Sequence, residues 1–296
     1  MTVHLTRVKA RLTIHAHRKV RGLLEGEYAA LHAGRSMDFN DLREYVRGDD
    51  VKDIDWKASA RSRTLLVKRY AALRQHTIQL VVSTGRSMAA MHERDVPKRD
   101  LAITVAGVIG WLAVRHGDLV AVAWGDADEQ HQSPPTRGEL PLERNLESIH
   151  DATSVAAGPS DLRTLVDYVI RTIRRRTVLV IICDDFAIDE ATASSLRRLS
   201  VQHEVLVVTV GGADPTSAEF ALDDLRDVDS GQLLPEWVAD DDELRQQYAD
   251  LLVADATTLK RRLEQLGIVH THVSDHAAAI KGVFDLLEHH RHARRR

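Results

Sequence analysis

The rhythm of hydrophobic and polar positions changes once along this chain, near residue 76. Before that point, Val3, Leu5, Val8, Leu12, Ile14, Val20, Leu23 and Leu24 sit among basic residues, a spacing that predicts an amphipathic helix over part of residues 3–24. Gly26 and Gly34 bracket a turn-rich segment, and residues 64–70 predict a strand. From residue 77 on, short apolar runs alternate with helical periodicity. Residues 77–83, 119–124, 178–183, 204–210 and 268–273 predict strands; residues 99–116, 142–150, 161–175, 189–201, 241–266 and 276–290 predict helices. Ser160 is the expected N-cap of the helix over 161–175. Residues 178–183 form the most hydrophobic run and are expected at the centre of the sheet. Residues 125–141, with Gly125, Pro134, Pro135, Gly138 and Pro141, read as loop, and Asp229-Ser230-Gly231 between apolar runs reads as a hairpin turn. Strands alternating with helices imply a mostly parallel α/β sheet covered on both faces. The expected organisation is an N-terminal extension over 1–75, an α/β domain over 76–290 and a basic tail over 291–296.

Composition narrows the function. With 296 residues, 44% hydrophobic and 28% charged, the chain has the make-up of a soluble globular protein. A net charge of −4 argues against a nucleic-acid partner. Cys183 stands alone, which excludes an internal disulfide and a cysteine zinc cage and fits a reducing, cytoplasmic setting. No apolar run approaches a membrane span, and residues 1–21 have no signal-peptide core. The P-loop and His-Glu-x-x-His patterns are absent. Arg171, Arg174, Arg175 and Arg176 fall at the end of a predicted helix, where cations meet the helix dipole favourably.

The densest mixture of charges lies between residues 35 and 70. Asp41, Arg43, Glu44, Arg47, Asp49, Asp50, Lys52, Asp53, Asp55, Lys57 and Arg61 alternate in sign around the turn at Gly48-Asp49 and around Trp56, a pattern that predicts a clamp of paired charges with a buried indole anchor. Phe39, Arg43, Tyr45, Gly48, Asp49, Asp50, Ile54, Asp55, Trp56, Ala60 and Arg61 together resemble the signature of the DUF58 family, with Met37 and Lys52 as mild departures. In that family the signature precedes a von Willebrand factor A-like domain. The resemblance implies that fold here, with Arg43, Tyr45, Gly48, Asp49, Asp50, Asp55, Trp56 and Arg61 as the clamp. It also implies a non-enzymatic adaptor role beside other proteins, with a MoxR-type AAA+ ATPase as partner.

In open α/β sheets ligands gather at the carboxyl ends of the strands. Three loops are expected to meet there, over 83–87, 158–161 and 183–186. They resemble the loops of the metal-ion-dependent adhesion site of the von Willebrand A fold, with departures. Ser83 stands where that site has its first Asp, and Gly85 where it has the middle Ser. Ser87, the hydroxyl of Ser160 and Asp185 remain, with Asp184 and Asp161 nearby and Arg86 adding positive charge. Mg²⁺ favours hard oxygen ligands with at least one or two carboxylates, so a degenerate site with weak or absent Mg²⁺ binding and no other cofactor is expected. A competing reading makes Gly85-Arg86-Ser87-Met88-Ala89 a nucleophile elbow. Ser87, Asp185 and one of His270, His272 or His276 then follow the chain order of an α/β-hydrolase triad.

Overall fold

In the computed structural model of the chain, residues 3–15, 28, 41–46, 49, 51, 54–62, 64–69, 76–93, 96–215, 225–235 and 241–293 are described. In chain order they form helix α1 (Val3–His15), strand β1 (Asp41–Glu44), helix α2 (Trp56–Ser62), strands β2 (Leu66–Arg69) and β3 (Thr77–Ser83), a 3-10 turn (Arg86–Ala89), the short strands β4 (Met91–Glu93) and β5 (Val96–Pro97), helix α3 (Lys98–Arg115), strands β6 (Leu119–Gly125) and β7 (Gln130–Gln132), helices α4 (Glu139–Ala152) and α5 (Leu162–Thr172), strand β8 (Val178–Asp184), helix α6 (Glu190–Gln202), strand β9 (Glu204–Val210), helix α7 (Asp242–Gln265), strand β10 (Val269–Val273) and helix α8 (His276–Ala293).

The main sheet has the order β10-β9-β8-β3-β6-β7. Every pairing in it is parallel except the antiparallel edge pair β6 with β7. This is the mostly parallel α/β architecture that the strand-helix alternation predicts. Alternate residues of each strand enter opposite layers. Ile78, Leu80 and Val82, with Val178, Val180 and Ile182, join one core. Val81, Leu179, Ile181 and Cys183 join the other. The first core also takes in α1, α3, α4 and α8, and the second takes in α5, α6 and α7. The chain begins the sheet at β3, grows to one edge through β6 and β7, then restarts at β8 on the other side. The switch point therefore lies between β3 and β8.

Helix α1 is part of the first core. Leu5, Val8 and Leu12 are buried in it. The first free amides of α1, His4 N and Leu5 N, donate to the two carboxylate oxygens of buried Glu143 on α4 at 2.7 and 2.6 Å, which satisfies a positive helix end with a negative group. Tyr28 is also fully buried, and its hydroxyl donates to Asp118 Oδ2 at 2.9 Å. Strands β1 and β2 form a separate antiparallel pair.

Three local expectations are corrected. Residues 130–132, expected as loop, make the edge strand β7. The N-cap of α5 is Asp161, whose side chain accepts from Thr164 N at 3.0 Å, and not Ser160. The helix ends at Thr172 rather than at residue 175, because Ile173 takes an extended conformation. The turn at Asp229-Ser230-Gly231 closes as a hairpin: Asp227 N donates to Gln232 O at 2.9 Å, and Gly231 takes a φ of 70°.

Candidate functional site

The loop after β3 and the loop before α5 meet backbone to backbone. A Cβ at Gly85 would lie 2.4 Å from Ser160 Oγ and 2.6 Å from Ser160 Cα, so only glycine admits this approach. Arg86 N donates to Gly158 O at 2.9 Å, and Arg86 Nε donates to Ala157 O at 3.1 Å. The guanidinium thus ties the two loops. Ser87 and Ser160 share a hydrogen bond between their hydroxyls, 2.6 Å long. Asp126, beyond β6, accepts from Gly158 N at 2.8 Å and holds the second loop from behind.

The third loop supplies Asp184 and Asp185, which face different partners. Lys98, the first residue of α3, places its ammonium 2.8 Å from Asp184 Oδ1, with both side chains largely buried. Asp185 Oδ1 lies 3.4 Å from His272 Nδ1 on β10. Thr209 Oγ1 stands 3.0 Å from both His270 Nε2 and His272 Nδ1. Burial pushes the Asp185 carboxyl up, but the hydrogen bond and charge of His272, the Thr209 hydroxyl and the Lys98 charge outweigh it and leave the group below its ordinary value. Burial, helped by the charge of His272, holds His270 down at about 4. Ser87, Lys98 and Asp184 line one open cavity of about 740 Å³ at this end of the sheet, with Met91 and Val155 on its wall.

Of the loop residues expected from sequence, Ser87 and Ser160 touch, Gly85 abuts Ser160, Ser83 ends β3 in the buried interior, and Asp185 turns away toward β10. Two members of the expected hydrolase triad, Asp185 and His272, do meet. The hydroxyl of Ser87 is instead engaged by Ser160. His270 faces Thr209, and His276 Nδ1 lies 3.4 Å from Thr104 Oγ1. Lys98 and Thr209 escaped sequence reasoning. A lysine opening a helix meets the positive dipole end unfavourably, and that is the signal that it needs a carboxylate elsewhere.

Among the described residues of the charged signature, Arg43 and Asp49 form an ion pair. Arg43 Nη2 pairs with Asp49 Oδ1 at 2.5 Å, and Asp49 Oδ2 accepts from Val46 N at 2.9 Å. That bond with Arg43 and the one with Val46 hold the Asp49 carboxyl below its ordinary value. Asp55 caps α2, accepting from Lys57 N at 3.1 Å and Ala58 N at 3.0 Å. Tyr45 N donates to Leu65 O at 2.8 Å and Asp55 N to Leu66 O at 2.8 Å, which fastens the segment to β2. Trp56 is not the expected buried anchor: it is 62% exposed. Helix α2 buries none of its residues, and the buried apolar residues nearby are only Ile54 and Val67 among those described, too few among these to enclose an indole. Arg61 is exposed, with no ion-pair partner among the described residues. Gly48 and Asp50 lie outside the described residues, as do 294–296 of the basic tail.

A family profile described as "Protein of unknown function DUF58" matches residues 41–258. The uncharacterized protein Rv1480 of Mycobacterium tuberculosis (strain H37Rv) is 28% identical over 260 residues, covering 86% of this chain and 80% of that protein. The uncharacterized protein Mb1516 of Mycobacterium bovis matches to the same extent, 28% over 260 residues. Among solved structures, an aerotolerance-related membrane protein from Bacteroides fragilis aligns with a TM-score of 0.46 at 15% identity, over 72% of this chain and 99% of that one. A von Willebrand factor type A protein from Catenulispora acidiphila aligns with a TM-score of 0.41 at 9% identity, over 78% of this chain and 44% of that one. Among the described residues of this chain, no helix is long and apolar enough to cross a membrane.

Proposed function

This chain belongs to the DUF58 family, and from that premise we propose that it is a non-enzymatic protein-interaction adaptor whose partner is a MoxR-type AAA+ ATPase, bound over the carboxyl end of the sheet. The observation that carries the reading is the cavity at the switch point, whose chemistry suits contact better than catalysis. Its wall includes Met91 and Val155, exposed by 48% and 69%, apolar groups of the kind that protein partners cover. Two of its polar side chains are engaged within the protein: Ser87 by Ser160, and Asp184 by Lys98.

The same pairings support a degenerate metal site. A divalent cation of the adhesion-site type needs free hydroxyls and a free carboxylate at one point. Here the residues do not fit it. Ser83 brings no carboxylate, Asp185 lies against His272, and the ammonium of Lys98 already neutralises Asp184.

Titration calorimetry of the full chain against the purified ATPase of the same organism tests the proposal. Binding is expected, weakened roughly tenfold or more by Met91→Asp combined with Val155→Asp, since apolar anchors carry most of an interface's energy. Absence of binding to the ATPase overturns the partnership. A fluorophosphonate probe separates the hydrolase reading: no labelling of Ser87 is expected, and labelling lost in Ser87→Ala reverses the conclusion.

A further inference from the structure

At the opposite end of the sheet from the switch point, the starts of β3, β6 and β8 enclose a second cavity of about 340 Å³, within the range of roughly 300–1,000 Å³ usual for small-molecule sites. Arg174, Arg175 and Arg176 line it. Only Arg171 lies in the last turn of α5, so the helix dipole does not account for the other three, which follow the helix in the loop toward β8. All three are exposed, and among the described residues none of them has an ion-pair partner, nor does any of their main-chain N–H groups donate to a carbonyl. Among the described residues, no Asp or Glu lines the cavity, although the chain as a whole carries a net charge of −4. Leu119 and Ile173 form an apolar wall on the same cavity, and Gln132 of the edge strand β7 stands on its lining.

We propose that this cavity binds a small organic phosphate, its anionic group held by Arg174, Arg175 and Arg176 and its apolar or aromatic body laid against Leu119 and Ile173. Guanidiniums match phosphate oxygens with paired, charge-assisted hydrogen bonds. Three adjacent cations without an internal carboxylate repel one another, and an anion relieves that repulsion. The apolar wall supplies what inorganic phosphate cannot use.

Calorimetry with AMP and with inorganic phosphate as the probes tests this on the full chain. AMP is expected to bind, tighter than phosphate by roughly tenfold or more, and to weaken as salt rises. The triple variant Arg174→Ala, Arg175→Ala, Arg176→Ala removes the charge. Gln132→Trp narrows the cavity and keeps the charge. All four positions are exposed, so both variants are expected to melt with the unmodified chain and to lose AMP affinity by roughly tenfold or more. No AMP binding at millimolar concentration overturns the proposal, as does binding that survives the triple variant. Equal affinity for AMP and phosphate, untouched by Gln132→Trp, marks a bare basic surface and overturns it too.

Discussion

Lys98 opens α3 at the positive end of the helix dipole, where an ammonium is unwelcome, and the carboxylate of Asp184 at 2.8 Å offsets that cost. Breaking a buried pair leaves one charge stranded, at a cost of about 3–5 kcal/mol when burial is complete. Since both side chains keep a little exposure, Lys98→Met is expected to destabilise the chain toward the lower end of that range in urea unfolding. Adding Asp184→Asn should recover part of the loss. If Lys98→Met unfolds at the same urea concentration as the unmodified chain, the pair is incidental. Trp56 makes the contrasting case: at its exposure, Trp56→Ala should stay within about 0.5 kcal/mol. His270 gives a pH signature. Its folded pKa of about 4 lies below the ordinary 6.5, chiefly through burial, and His276 is lowered to about 4 by burial and the charge of Arg11. The unfolded chain takes up these protons near pH 6.5 and the folded chain only near 4. Stability is therefore complete above about pH 6.5 and falls as the pH drops toward 4. Melting temperature against pH should show that acid limb, and His270→Asn should flatten it. An unchanged limb in the variant assigns the loss to other groups.

The elements were legible where apolar spacing was long and regular. Residues 77–83 and 178–183 carry the apolar runs of buried strands, and the 99–116 periodicity marks the helix that runs through the first core. The failures have local causes. Strand β7 is Gln-His-Gln, three polar residues on an edge that needs no apolar face, and its antiparallel pairing to β6 is invisible in composition. Ser160 and Asp161 are equally good caps by residue type; the hydroxyl of Ser160 was taken by Ser87, which only the tertiary approach of two loops decides. The docking of α1 shows the same dependence. A Cβ at Gly107 on α3 would come within 2.7 Å of Val8 Cγ2 on α1. Gly107→Ala gains roughly 1 kcal/mol of helix propensity and is expected to lose about 1–3 kcal/mol to overpacking. The net effect should be destabilising, and Val8→Ala in the same chain should rescue it rather than add to it. Additive losses in the double variant would show that α1 does not press on Gly107.

At the scale of the whole molecule, the order of the strands brings distant residues to one point. Lys98 and Asp184 are far apart in sequence, but α3 returns its first residue to the end of β8, the neighbour of β3 in the sheet. The sequence revealed the missing carboxylate at Ser83 and the missing hydroxyl at Gly85, because both fall inside a resemblance with fixed spacing. It did not reveal the pairing of Lys98 with Asp184, because Lys98 lies outside that spacing. This changes how a metal site would be restored. Gly85→Ser is excluded by the Ser160 backbone 2.6 Å from where its Cβ would go. Ser83→Asp alone adds one carboxylate at the end of β3, while Asp184 at the end of neighbouring β8 stays paired with Lys98. Ser83→Asp with Lys98→Ala instead frees Asp184 of its counter-charge and adds a second carboxylate on the neighbouring strand, the minimum that a hard divalent cation takes. The unmodified chain and the Ser83→Asp variant are therefore expected to show no rise in melting temperature with Mg²⁺ or Mn²⁺. The double variant should melt lower than either without metal and rise on adding Mn²⁺, gaining about 2.7 kcal/mol when the ion stands at a hundred times its dissociation constant. If Ser83→Asp with Lys98 intact is stabilised by Mn²⁺ as strongly as the double variant, the pairing of Lys98 with Asp184 does not keep a cation out; if the unmodified chain is stabilised, the site was never degenerate.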